Sequence, residues 1–388
     1  MKHDFDLLTI RRNTNSYKWD SAEHDDVIPM WVADMDFKTA PSIIAALRER
    51  VEQGIFGYTK VPEEYYAAAI NWFSRRHGWK FERDWMIYTS GVVPAISAIL
   101  KALTNPGDKV IVQTPVYNCF FSSIRNNGCI ASENTLLQKD GKYFIDFDDL
   151  EKRAAEPEAK VLLLCNPHNP TGRVWTREEL LTVADICKRN NVIVVSDEIH
   201  CELVYKPYKY IPFGSLSDDV MQNSVVCVSP SKAFNIAGLQ IANIICKDAE
   251  RRAKIDKAIN INEVCDVNPF GVLATIAAYN EGAEWLEQLI DYLWGNYEML
   301  SSYFSENFPN LPVTKLEGTY LVWVDCRQLG MSSSELEKGL LEKGKVWVNE
   351  GVMYGKDGEG FIRINIACPR ERLMEGLKRL KNGLASLA

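Results

Sequence analysis

Lys232 lies in the stretch Ser229-Pro-Ser-Lys-Ala-Phe-Asn-Ile-Ala-Gly238, directly after the apolar run 225–228. A lone lysine is ordinarily a solvated surface residue. One set among small and apolar neighbours loses hydration, and its amine becomes a usable nucleophile or base. The flanking Ser229 and Ser231 hydroxyls can hydrogen-bond an anion. Asp197 closes the preceding apolar run, 192–195. A carboxylate buried there needs a cationic partner to stay charged, and a protonated pyridine nitrogen would be one. Ser90-Gly91-Val92 opens a helix whose free N–H groups and dipole favour an anion such as phosphate. Asn169, within Asn166-Pro-His-Asn-Pro-Thr-Gly172, sits in a Pro/Gly turn from which an amide can donate to a phenolate oxygen. Taken singly, each has a plainer explanation: a surface lysine, a helix cap, a tight turn. Their placement sets them apart.

Residues 109–113, 161–165, 192–195 and 225–228 read as short strands. A helix is expected over 91–103, capped by Ser90, and another over 176–188, with Thr176 and Glu179 as a capping box. Continuous apolar strands separated by helices imply a largely parallel sheet covered on both faces. In such sheets ligands bind beyond the carboxyl ends of the strands. The polar groups 166–172, 197–200 and 229–232 each follow a strand, so they converge on one crevice. The C-terminal part reads differently, with helices over 286–304, 332–343 and 370–384. Between them, 320–325 and 361–366 alternate like half-buried strands. The fold class is α/β: a large domain over 46–284 with a mostly parallel central sheet flanked by helices. A smaller α+β domain is expected from both chain ends, residues 285–388 joined by 1–45.

The chain of 388 residues carries 44 basic and 52 acidic side chains, a net charge of −8. That balance gives no phosphate-tracking patch, and no nucleic-acid partner is expected. No apolar run approaches the roughly 20 residues that span a bilayer. The polar start, residues 1–20, lacks a signal-peptide core, so a cytoplasmic protein without membrane attachment is expected. Ten cysteines are scattered with no C-x-x-C pair, which reads as buried, reduced thiols and no metal site.

Four motifs in order and spacing, Ser90-Gly91-Val92, Asn169-Pro-Thr-Gly172, Asp197 and Ser229-x-Ser231-Lys232, resemble the fold-type I pyridoxal-phosphate (PLP) enzymes of the aspartate-aminotransferase superfamily. The resemblance runs from Met30 to about Arg370. It implies that Lys232 bonds covalently to PLP, Asp197 pairs with the pyridine nitrogen and Asn169 contacts the ring hydroxyl. Gly91, Val92, Ser229 and Ser231 would surround the phosphate, and Tyr117 would stack on the ring. Arg363, in Phe361-Ile-Arg-Ile-Asn, matches the arginine that clamps a substrate carboxylate, with Asn169 beside it. Tyr58, in Phe56-Gly-Tyr-Thr59, matches a tyrosine that reaches the neighbouring subunit's phosphate. The resemblance therefore implies a homodimer with shared active sites and a small amino-acid substrate.

Departures from the aminotransferase pattern narrow the reaction. Gln240 stands eight residues after Lys232, where many aminotransferases carry arginine, and His200 stands where tyrosine is common. These, with Trp31-Val-Ala-Asp34-Met-Asp36-Phe, resemble the MalY/PatB group of carbon–sulfur lyases. The implied activity is α,β-elimination from cystathionine or another S-substituted cysteine. Lys232 would take the Cα proton, and Tyr58, Tyr117 or Lys232 would assist the leaving thiolate. His200 reads as a core histidine near the cofactor, Trp31 as a lining of the substrate entrance, and Asp34 and Asp36 as turn or hairpin residues. An aminotransferase of aromatic or neutral amino acids would use the same lysine, aspartate and arginine. A regulatory, protein-binding role that retains the cofactor site is the second alternative.

Overall fold

The computed structural model describes residues 2–261 and 267–387. Seven strands form the central sheet: β1 (Met86–Thr89), β2 (Lys109–Val112), β3 (Ile130–Glu133), β4 (Ala159–Cys165), β5 (Ile193–Asp197), β6 (Ser224–Val228) and β7 (Ala242–Ile245). Their spatial order is β1-β7-β6-β5-β4-β2-β3. β7 runs antiparallel to both neighbours, and the other pairs are parallel. Successive residues of β4 enter different cores: Leu162 and Leu164 join one cluster, Val161 and Leu163 the other. That period of two, with apolar residues on both sides, is what a sheet covered on both faces requires.

Helices α1 (Val92–Leu103) and α2 (Arg177–Arg189) belong to this layer. Thr176 and Glu179 form the expected capping box, a device that contributes on the order of 1 kcal/mol. Ser90 does not cap α1. Gly91 occupies the N-cap and no side chain accepts from the first turn, which leaves those N–H groups for another acceptor.

Beyond them come α3 (Ala283–Asn307), α4 (Ser333–Gly344) and α5 (Arg370–Ala385). A three-stranded antiparallel sheet lies with them, Phe361–Asn365 at its centre between Leu321–Asp325 and Asn349–Glu350. The two longer strands are buried at every position, not half-buried as their alternation suggested. Their polar positions face protein: Trp323 donates to Tyr143 Oη at 3.0 Å, and its cross-strand partner Arg363 reaches Asn169. Ile28 and Pro29 pair in parallel with Val346 and Trp347, which ties the start of the chain to this second layer.

Asp34 and Asp36 are not simple turn residues. Asp36 is 1% exposed, with Arg11 Nη1 at 2.8 Å, Lys18 Nζ at 3.4 Å and Arg372 Nη1 at 3.2 Å. Asp34 takes a 2.6 Å ion pair from Arg11 Nη2. The cluster joins residues 11–36 to α5, a long-range association that no local pattern announces. The nine described cysteines are free thiols, all buried except half-buried Cys119; Cys265 lies outside the described residues.

Candidate active site

A cavity of about 170 Å³ opens at the carboxyl edge of the parallel strands. Gly91 and Val92 reach it from the start of α1, and Tyr117 from the segment after β2. Asn169 follows β4, Asp197 ends β5 with His200 just beyond, and Ser231 and Lys232 follow β6. Because β7 is antiparallel, it begins where its neighbours end, so Gln240 and Ile241 also face the cavity.

The side chains are placed partly by short-range bonds and partly by bonds to distant segments of the chain. Ser229 sits beneath the cavity wall, not on it. Its hydroxyl is 2.8 Å from Ser231 Oγ and 2.6 Å from Ile241 O, and it accepts from Ser231 N–H at 3.1 Å. These bonds bind the end of β6 to the start of β7. The loop carrying Asn169 is pinned by His168, whose ring lies 3.2 Å from Gln113 O and 2.9 Å from Thr171 Oγ1. Burial pulls His168 down to about 3, so this ring is neutral. Lys232 Nζ donates to Ala33 O at 2.7 Å, and Tyr320 Oη donates to the same carbonyl at 2.9 Å. Asn235, at φ 53°, donates to Met35 O and Phe37 O and accepts from Met35 N–H. The segment 33–37 is thus clamped over the lysine.

Asp197 is 3% exposed and accepts from Ile199 N–H at 3.1 Å. Burial raises its carboxyl to about 6, opposed by that bond and by the charge of Lys232. Burial also lowers the Lys232 amine; Arg363 acts in the same direction, and Asp34 and Asp197 act against it. His200 is held neutral, chiefly by burial and then by the charges of Lys232 and Arg363. Its Nδ1 has no partner among the described residues. Tyr117 keeps its proton, its pKa raised well above the usual value by burial and then by Cys119.

Arg363 is 4% exposed, just behind Asn169. It donates to Asn169 Oδ1 at 3.1 Å, Trp31 O at 2.7 Å and Asn349 Oδ1 at 2.6 Å, all neutral acceptors. Its ring contact is Tyr354, 5.0 Å below the guanidinium carbon. Trp31 meets the site through its carbonyl, while its indole stacks on Trp347 at 4.3 Å. Tyr58 is not brought to this cavity: it is 95% exposed, on the chain before Glu63–His77.

These observations fit a phosphorylated pyridine carrying an amino acid. Uncapped N–H groups await an anion, a buried carboxylate awaits a cation, and a buried guanidinium awaits a carboxylate. No pattern in the sequence marks the Ala33 carbonyl, Asn349 or Tyr320, and Cys165, expected only as a core thiol, lines the cavity. Backbone acceptors carry no local signature, nor does Asn349, which meets Arg363 only through strand pairing.

A family model described as "Aminotransferase class I and II" matches residues 25–380, and the chain belongs to that family. Cystathionine beta-lyase PatB of Bacillus subtilis is 43% identical over 386 residues, covering 98% of this chain and 100% of PatB. Protein MalY of Escherichia coli is 34% identical over 390 residues, covering 99% of each chain. The crystal structure of cystalysin from Treponema denticola, which contains a pyridoxal 5′-phosphate cofactor, superimposes with a TM-score of 0.97. It is 37% identical and all of both chains are covered.

Proposed function

We propose that this protein is a PLP-dependent carbon–sulfur β-lyase. It cleaves cystathionine or a related S-substituted cysteine to a thiol, pyruvate and ammonia. The observation that carries the reading is the placing of half-buried Lys232 and buried Asp197 on one cavity, with buried Arg363 directly behind its Asn169 wall and bonded only to neutral acceptors. Full-length kinship to PatB favours elimination over transamination.

In this reading the N–H groups of Gly91 and Val92, with Ser231, hold the phosphate. Ser229 acts by fixing Ser231. Asp197 faces the ring nitrogen, Asn169 the ring hydroxyl, Tyr117 the ring face, and neutral His200 lies beside them. PLP, when bound, supplies an electron sink for the bonds at the Cα of an attached amino acid. Arg363 binds the substrate carboxylate with its planar fork and so orients the Cα–H bond. Lys232, its amine pKa lowered, takes that proton on Nζ. The same Nζ then returns a proton toward the departing sulfur, which needs little help because a free thiol has a pKa of about 8.5. Water entering afterwards completes the conversion of the three-carbon fragment to pyruvate and ammonia. Trp31 borders the route by which the sulfur substituent leaves.

Tyr58 and the exposed Ile55 and Phe56 suit a homodimer in which this loop meets the neighbouring site. The domain division at 45/46 and 284/285, and a cytoplasmic location, belong to the same proposal. The pairing of Ile28 with Val346 supports joining the N-terminal segment to the C-terminal domain.

The test is incubation of the PLP-loaded protein with L-cystathionine and no keto acid. Pyruvate and homocysteine in equal amounts are expected. Turnover that requires a keto acid and yields a new amino acid would replace this reading with an aminotransferase.

A further inference from the structure

Glu198 follows Asp197 directly but turns away from the cavity into the protein, where it is completely buried. Four donors converge on its carboxylate. Oε1 accepts from Ser196 Oγ at 2.7 Å, Phe213 N–H at 2.9 Å and Asn166 Nδ2 at 3.3 Å, and Oε2 accepts from Tyr210 Oη. These donors belong to three segments: the end of β5, the residue after β4, and the chain over 210–213. Asn166 also donates its N–H to Asp197 O at 2.9 Å and its side-chain amide to Ile211 O at 3.0 Å. Asn166 opens the loop that carries Asn169. One carboxylate therefore joins the strand end bearing Asp197 to the loop bearing Asn169.

We propose that Glu198 is a positioning residue: it fixes Asp197 and Asn169 relative to each other, so that both meet the cofactor ring at once. The proposal rests on the reading of this cavity as a PLP site. The sheet itself does not need the residue, since the β4–β5 ladder already aligns Leu164 with Ser196 and Cys165 with Asp197. The ladder ends there, and Asn169 lies four residues beyond it. A carboxylate is suited to fixing several donors at once, because its two oxygens offer about four lone-pair sites and each bond strengthens once the group is ionised. Burial pushes the Glu198 carboxyl up to about 7, and the bonds from Tyr210, Phe213, Ser196 and Asn166 oppose that rise. An amide in its place would turn an N–H₂ group toward Tyr210 or toward Phe213 and Asn166, so that at least one O–H or N–H proton loses its acceptor.

Glu202 is the natural control. It too is a buried carboxylate, held by Trp72 Nε1 at 2.6 Å, His77 Nε2 at 2.7 Å and Arg76 Nε at 2.8 Å, with no bond to the cavity segments. The experiment compares the parent with Glu198→Gln, Tyr210→Phe and Glu202→Gln. For each, PLP is titrated into the apoprotein by fluorescence quenching, and the visible absorption of the PLP-loaded protein is followed against pH. Glu198→Gln is expected to weaken PLP binding by about tenfold. It should also move the absorption midpoint by about half a pH unit or more and lower kcat more than it raises KM. Tyr210→Phe, which removes one donor and little volume, should shift affinity and midpoint in the same direction by less, and it carries the test if Glu198→Gln does not fold. Glu202→Gln should lower Tm while leaving affinity and midpoint at the parent values. A parent that binds PLP, with Glu198→Gln or Tyr210→Phe lowering only Tm as Glu202→Gln does, would overturn the positioning role alone. A parent that binds no PLP would overturn it together with the functional reading.

Discussion

Asp36 and Asp197 are both almost completely buried, 1% and 3% exposed, and their surroundings are opposite. Burial alone would raise Asp36, but Lys18, Arg372 and Arg11, with the Trp19 N–H at 2.9 Å, hold it below the usual carboxylate range. Asp197 has one backbone N–H and a more distant lysine, and burial lifts it to about 6. The chain thus neutralises one buried charge with its own side chains and leaves the other for a ligand. The cations are similarly divided. Arg11 is paired with two aspartates, whereas Arg363 meets only neutral oxygens. A structural carboxylate is recognisable by completeness, a binding one by what is missing around it.

The contrast can be broken or sharpened by substitution. Lys232→Ala should abolish pyruvate release by at least about 10³-fold, read by a coupled assay on the PLP-loaded protein; retained turnover would remove Lys232 from the chemistry. Asp36→Asn should unfold the apoprotein more easily by about 3–5 kcal/mol, because it leaves Arg372 without its carboxylate and Lys18 and Arg11 with Asp34 alone, with urea denaturation as the measurement. Asp197→Asn should do the reverse above pH 6. The folded carboxyl binds its proton more tightly than the unfolded chain, whose value is 3.8. Its contribution to stability is therefore present at low pH and lost as pH rises through about 6. An amide avoids that loss, so the variant apoprotein should gain up to about 3 kcal/mol over the parent at pH 8 and match it near pH 3. Its affinity for PLP should fall. Equal pH slopes for variant and parent would contradict the account of Asp197. Arg363→Lys should raise KM for cystathionine by about 10–100-fold with a smaller change in kcat, since a lysine cannot present the bidentate fork. An unchanged KM would separate Arg363 from the substrate carboxylate.

Much of the large sheet is legible in sequence because its strands are continuous apolar runs with polar residues immediately after them. The same rule places Asn169, Asp197 and Lys232 at one edge without any coordinates. Ser90 misleads because a serine before a helix usually caps it, whereas here the backbone runs on to Gly91 and leaves the N–H groups free. The strands 321–325 and 361–365 look half-buried because Trp323 and Arg363 are polar-tipped, yet both point into neighbouring protein. The Asp36 cluster is illegible because its partners come from residues 11, 18 and 372. Tyr58 is 95% exposed in this chain, and its part in a neighbouring site rests on the proposed homodimer.

The most direct test of the account is to load the protein with PLP, reduce it with borohydride and map the modified peptide by mass spectrometry. The account predicts one equivalent of reduced cofactor on Lys232, and none in Lys232→Ala. Label spread over surface lysines, or none on the peptide containing Lys232, would contradict it.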